Sequence, residues 1–362
     1  MQRLLREGYR PFFLFFPLIG ATALGAWAQA LRGRLSVTPT DHAVSMIWGV
    51  LGGAVLGFLL TAYPKQNDAN PPSPRLLALF FGGWLATCVA LLGSWLGAPT
   101  GELATALGAL VWGGALAWTG RIAAVSLQRR WEPTTVAVPV ALAAGLAGWL
   151  LARTGVAPGI GVALGLHVFL VGLALSLLDR LLPFFASKAV KDYAGSRRPW
   201  FVGLLLATLL LRATGVVPTR IADLLVLALL GRQLAGWRAH RLLRVPMITV
   251  LLLAVGWLGL GYAVELVRGP GPASVHFWTV GGLCTLVLGI ATRVTRGHGG
   301  LPVALDRWAA LALLLVQGAA VLRALLPMVL AVPPSVQLFA SAGLLGAAFL
   351  IWGFRHALLL SK

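Results

Sequence analysis

Residues 274–300 read SVHFWTVGGLCTLVLGIATRVTRGHGG, and this stretch decides the fold. His276 follows a Pro/Gly turn, an apolar run rich in small residues continues for about five helical turns, and Arg293, Arg296 and His298 close it before Gly299-Gly300. An uninterrupted apolar span with polar groups at both mouths suits a bilayer, not a soluble core. Gly281, Gly282 and Gly289 allow a neighbouring helix to approach closely, as helix interfaces in membranes prefer.

The rest of the chain has the same character. Of 362 residues 59% are hydrophobic and only 11% charged, more apolar surface than a soluble domain can bury, so an all-α polytopic membrane protein is expected, one transmembrane domain over 1–362. The balance of 29 Lys+Arg against 10 Asp+Glu would suggest nucleic acid in a soluble protein. Here the basic residues sit in short loops, where they set orientation and meet anionic head groups of the lipid bilayer, and no nucleic-acid-binding motif accompanies them. Cys88 and Cys284 fall inside apolar spans, which indicates neither a disulfide nor a zinc site. The first apolar run lacks a small-residue cleavage site and reads as a retained span, not a signal peptide.

Hydropathy divides the chain into about twelve segments of spanning length: 12–31, 44–63, 76–96, 103–120, 135–151, 159–178, 200–217, 221–234, 245–265, 275–291, 308–330 and 336–354. The seventh and eighth are short, either tilted or one re-entrant pair. Loops on the side of the N-terminus hold 22 of the 29 basic residues, which places both termini in the cytoplasm by the positive-inside rule. His42 and His276 then emerge on the outer side, with His167 roughly 12 Å below that surface. Arg180, Arg293, His298, His240 and His356 belong to the inner side.

Two polar clusters follow, one per leaflet. On the outer side His42 and Met46 share a helix face, and imidazole and thioether sulfur both ligate haem iron or copper. Asp41 either orients an imidazole or caps the second span, leaving His42 an interfacial histidine. His276 is its natural partner, with Ser274 as cap. His167 is a titratable group at a costly depth, hence a functional candidate or a neutral imidazole bonded to a neighbouring helix. Cys284, eight residues below His276, fits helix packing or copper binding. On the inner side Arg180, Arg293 and His298 either snorkel to the interface or bind an anion, since guanidinium pairs bidentately with carboxylates. His276 and Arg293 are 17 residues apart, about 25 Å along a helix, too far to hold opposite edges of one haem.

At these residues the chain resembles the NnrS family of bacterial membrane proteins. Gly8-Tyr9-Arg10-Pro11-Phe12-Phe13 resembles the family's G-[FY]-R-P-F-F, and Gly57-Phe58-Leu59-Leu60-Thr61-Ala62-Tyr63-Pro64 its G-F-L-L-T-A-x-P. Arg180–Phe185 is similar to R-x-x-P-x-F, and Arg244-Val245-Pro246 to the R-x-P entry of the ninth span. His276-Phe277-Trp278-Thr279-Val280-Gly281, continuing through Thr292-Arg293-Val294-Thr295-Arg296-Gly297-His298, resembles H-x-x-T-V-G followed by T-R-V-[ST]-x-G-H. The resemblance implies about twelve spans in a bacterial inner membrane, haem and copper as cofactors, and a place in the nitric oxide response and denitrification. It departs at two points. Where the family reads H-A-H-E-M this chain has His42-Ala43-Val44-Ser45-Met46, and where the ninth span reads L-H-x-G-Y it has Leu251-Leu252-Leu253-Ala254-Val255.

The resemblance therefore implies that His42 and His276, with Met46 as a further metal ligand, hold haem iron or another metal near the outer face, where nitric oxide reaches an open axial position or displaces a weak ligand. His167, Arg180, Arg293 and His298 are further candidate cofactor-binding residues. No acid–base pair suited to turnover is apparent, so an accessory role is expected in preference to an enzyme. The alternatives are a secondary transporter, for which twelve spans are ordinary, and a metal-free subunit that assembles with respiratory-chain proteins.

Overall fold

The computed structural model describes residues 4–361 and contains no strand among them. Its twelve long helices are α1 Tyr9–Ala30, α2 Pro39–Gln66, α3 Pro74–Trp95, α4 Gly101–Leu127, α5 Pro133–Arg153, α6 Pro158–Ala189, α7 Pro199–Ala213, α8 Thr219–Gly236, α9 Pro246–Arg268, α10 Pro272–His298, α11 Arg307–Val329 and α12 Pro334–Ser361. Ten are long and apolar enough to cross a membrane. The other two are α7, with 15 residues or about 22 Å of rise, and α8, which carries Arg220, Asp223 and Arg232. They are separate helices packed on each other, joined by the short turn at 214–218.

All but one of the helix starts lie upstream of where hydropathy places them, α9 alone beginning a residue later, and at seven of them the new first residue is proline. Eight of the twelve helices begin on one, at positions 39, 74, 133, 158, 199, 246, 272 and 334. Proline at the first helical position loses no hydrogen bond, because that N–H has no intrahelical partner, and its fixed φ already suits the helix. A residue that reads as a turn is the first residue of a span. The same shift corrects two caps. Thr38, not Asp41, caps α2: its hydroxyl accepts from the Asp41 N–H at 3.1 Å while the Asp41 carboxylate accepts from the Thr38 N–H at 3.2 Å, a reciprocal capping box. Ser274 lies inside α10, whose N-cap is Gly271.

Successive helices run in opposite directions, so Tyr9 and Ser361 sit at one end of the bundle, here the terminal end. The starts of the even-numbered helices form the distal end. Every fourth helix is central. In α2, α6 and α10 the most apolar windows are 78%, 78% and 72% buried, against 33–61% in the other helices that could span. The remaining nine surround these three in the order α1, α3, α4, α5, α7, α8, α9, α11, α12 and back to α1.

Tryptophan laid on glycine sets the close approaches. The Trp48 indole covers Gly165 of α6 and donates its N–H to the Gly145 carbonyl at 3.0 Å. Trp84 covers Gly53 and donates to Gly49 O at 2.8 Å, and Trp149 covers Gly108 and donates to Thr105 O at 3.0 Å. Each indole is buried and pinned by its hydrogen bond, so it cannot swing aside. Gly165→Val should therefore cost about 1–3 kcal/mol, the range for overpacking, with the Trp48 bond at further risk. Thermal unfolding in detergent measures it, and an unchanged midpoint would mean that the indole is free to move.

Four helices depart from α-geometry. Wider π-helical turns occupy Ser45–Leu51 in α2, Leu164–Gly172 in α6, Phe277–Cys284 in α10 and Val321–Leu325 in α11. A π segment inserts a residue into the ladder and rotates everything beyond it, a feature frequent at functional sites. Three of the four are in the central helices, and all four border the same space.

Candidate haem cavity and polar networks

That space is a cavity of about 380 Å³ at the distal end, walled by the π segments through Met46, Leu166, Thr279 and Arg323. The volume falls within the range of about 300–1,000 Å³ typical of small-molecule sites. His42 and His276, 234 positions apart in sequence, both line it, and so do Met46 and Cys284. The His42 ring stacks on Trp27, with centroids 4.5 Å apart, and its Nδ1 is buried without a protein partner. Asp41 does not orient it: that carboxylate accepts from the Thr38 hydroxyl at 2.6 Å and from Arg153 at 3.4 Å.

His276 is held more tightly. Its Nδ1 lies 2.6 Å from the Pro272 carbonyl. A carbonyl only accepts, so Nδ1 carries the proton and Nε2 keeps its lone pair, the state a metal-ligating imidazole needs. The i−4 carbonyl is within reach of the ring, as the Trp352 carbonyl is for His356 at 2.9 Å. Val44 and Ser45, which stand where the family pattern has histidine and glutamate, do not line the cavity. Among the described residues no three His, Cys, Asp or Glu side chains cluster as a metal site would require.

His167 is elsewhere. Its ring faces α9 and α10, with Nδ1 3.1 Å from the Tyr262 hydroxyl and the ring edge-on to Trp278 at 4.5 Å between centroids. It adjoins a group of charges that hydropathy did not reveal. Arg212, at the end of α7, donates from Nε to Asp223 of α8 at 2.7 Å and from Nη2 to Glu265 of α9. The Ser274 hydroxyl donates to the second Glu265 oxygen at 2.8 Å, while the second Asp223 oxygen is buried and unpartnered. The guanidinium also lies over the Trp278 and Tyr262 rings, 5.1 and 5.6 Å from their centroids. In sequence these three charges stand near the ends of their segments and pass for loop residues. The signal available was one acid or base in each of three consecutive span ends at one face of the bundle.

The inner-side candidates do not share one site. Arg180 donates to the Gln66 carbonyl at 2.7 Å and lines a polar cavity of about 220 Å³ with Glu132. Arg293 stacks its guanidinium on Phe185 at 3.6 Å. His298 lies 3.5 Å from the Glu7 carboxylate and edge-on to Tyr9. What these contacts join is the recurring motifs themselves: the Tyr9 N–H donates to Thr61 Oγ1 at 2.7 Å, and Gly8 leaves no room for a Cβ against Leu60, 2.8 Å away.

Nearby, Arg197 binds the α5 and α6 ends together. Its fork donates to Glu132 at 2.6 and 3.0 Å, and its Nε to Asp179 at 3.1 Å. Partial burial would raise the Glu132 carboxyl, but the Arg197 hydrogen bonds and charge, with the Thr134 N–H, outweigh it and bring it down to about 2. A depressed carboxylate stabilises the fold above its unfolded value near 4.5, and that contribution is lost as pH falls through the folded value. Thermal midpoints should thus decline from about pH 5 towards 2, and Glu132→Gln should flatten this dependence while lowering the midpoint at neutral pH. Identical pH profiles for the two proteins would dismiss the pair as a determinant.

A bundle of long apolar helices with an imidazole-lined cavity near one mouth defines a polytopic membrane protein. The profile of the family described as NnrS protein matches residues 3–362, essentially the entire chain, and the chain belongs to that family. No curated protein matches it.

Proposed function

We propose that the protein is a haem-binding member of the nitric oxide response in a bacterial inner membrane, with His42 and His276 as the iron ligands. The observation that carries this reading is the meeting of two imidazoles from α2 and α10 in one cavity, one of them fixed in the tautomer that leaves Nε2 free. Histidine is an ordinary ligand of haem iron, so these two residues would hold the group, and the largely apolar walls suit a porphyrin. Haem, when bound, supplies an iron that binds nitric oxide. The chain's own part is to hold Nε2 of His276 through Pro272, to seat His42 against Trp27, and to keep water from the deeper wall with Leu51 and Leu345. Met46 and Cys284, on the same walls, are soft donors that could replace a displaced imidazole.

The basic excess at the terminal end supports a cytoplasmic position for that end, with the cavity towards the outer surface. The test is an optical spectrum of protein purified from haem-replete cells. A Soret band that shifts when nitric oxide is added is expected, and a colourless protein that takes up no haemin would end the reading.

A further inference from the structure

Arg323 is the one charged side chain on the cavity wall, and it comes from α11, a helix that contributes no candidate from sequence. It stands within the π-helical turn Val321–Leu325, near the level of the two histidines. Among the described residues it has no carboxylate partner. The acids of the distal end are otherwise placed: Asp41 holds Thr38 and Arg153, Asp223 and Glu265 hold Arg212, and Glu102 is an exposed residue in the first turn of α4. A guanidinium is always charged at any accessible pH, and its removal from bulk water is costly unless an anion meets it. The two buried arginines among the described residues each have such a partner, Arg212 two carboxylates and Arg296 Asp306 at 3.0 Å, whereas the half-buried Arg323 turns to the cavity without one.

We infer that Arg323 makes this cavity a binding site for a carboxylate-sized monoanion, held beside His42 and His276. The planar fork matches a carboxylate or a small oxoanion bidentately, which gives orientation as well as charge. Two sources share this chemistry. One is a propionate of the porphyrin, which rests on the haem reading; the other is a free oxoanion such as formate or nitrite, which does not. The inner arginines cannot serve the cavity, since Arg180 and Arg293 lie at the opposite end of the bundle.

The experiment titrates full-length, porphyrin-free protein in detergent with three probes: haemin, haemin dimethyl ester and sodium formate. If the anion is a propionate, the wild type binds haemin at least about tenfold more tightly than the ester, and Arg323→Gln abolishes that preference while leaving ester binding unchanged. If it is a free oxoanion, formate binds saturably to the wild type and Arg323→Gln weakens it about 10- to 100-fold. Arg323→Lys, which keeps charge but not the fork, should retain an intermediate affinity and serves as the reading if the glutamine variant does not fold. Arg268→Gln, at the same end but outside the cavity, should change nothing. Equal binding of haemin and ester together with no saturable formate binding overturns the proposal. Formate binding lost in Arg323→Gln, without any Soret change on adding haemin, would keep the anion site and discard the haem.

Discussion

Haem content should fall to background when His276 is replaced by alanine, and again when His42 is, with each loss reversed by imidazole added to the buffer. The motive is geometric. His276 donates from Nδ1 to the Pro272 carbonyl at 2.6 Å, which directs its free nitrogen to the cavity, and His42 is braced by Trp27 on one face. Neither ring has a competing partner for the nitrogen that would ligate. His167→Gln is the informative control: that ring bonds to Tyr262 and does not line the cavity, so the Soret band should persist at wild-type intensity. The measurement is Soret absorbance per mole of protein. Full haem content in both alanine variants, or its loss in the His167 variant alone, would sink the assignment.

Arg212→Met should destabilise the protein by about 3–5 kcal/mol, because it leaves two carboxylates without their cation. The side chains of Arg212, Asp223 and Glu265 are 5%, 0% and 5% exposed, so solvent cannot replace the lost partner. Against a total stability on the order of 5–15 kcal/mol, this is a large fraction of the margin. The charge interpretation makes a second demand. Adding Asp223→Asn and Glu265→Gln to Arg212→Met should recover part of the loss, since a neutral network avoids the buried unpaired charges. Denaturant midpoints for the single and triple variants test this, and a single variant within about 0.5 kcal/mol of wild type would show that the triad contributes nothing.

Much of the architecture was readable from residue order. Glycine-rich apolar stretches of about twenty residues announced helices that cross a bilayer, and the basic excess assigned both termini to one side, where α1 begins and α12 ends. The errors were local and had one cause. Hydropathy cannot distinguish a proline that ends a segment from one that starts it, so helix starts came late and the capping roles went to Asp41 and Ser274 instead of Thr38 and Gly271. The Arg212–Asp223–Glu265 network escaped because each member alone looks like an interfacial charge. Only their mutual distance shows that they neutralise one another.

By itself the sequence determined that this is a helical membrane protein, which way its helices alternate, and which imidazoles lie near which end of a helix. Those properties depend on residues near one another in the chain: summed transfer free energy over a window, and charge per loop. Tertiary structure alone decided that His42 and His276 share a cavity, that His167 turns instead to Tyr262, and that Arg323 joins them. The direction a side chain faces depends on rotation of its helix, and here rotation is set by π turns and by tryptophans seated on glycines of distant helices. No local pattern encodes those contacts.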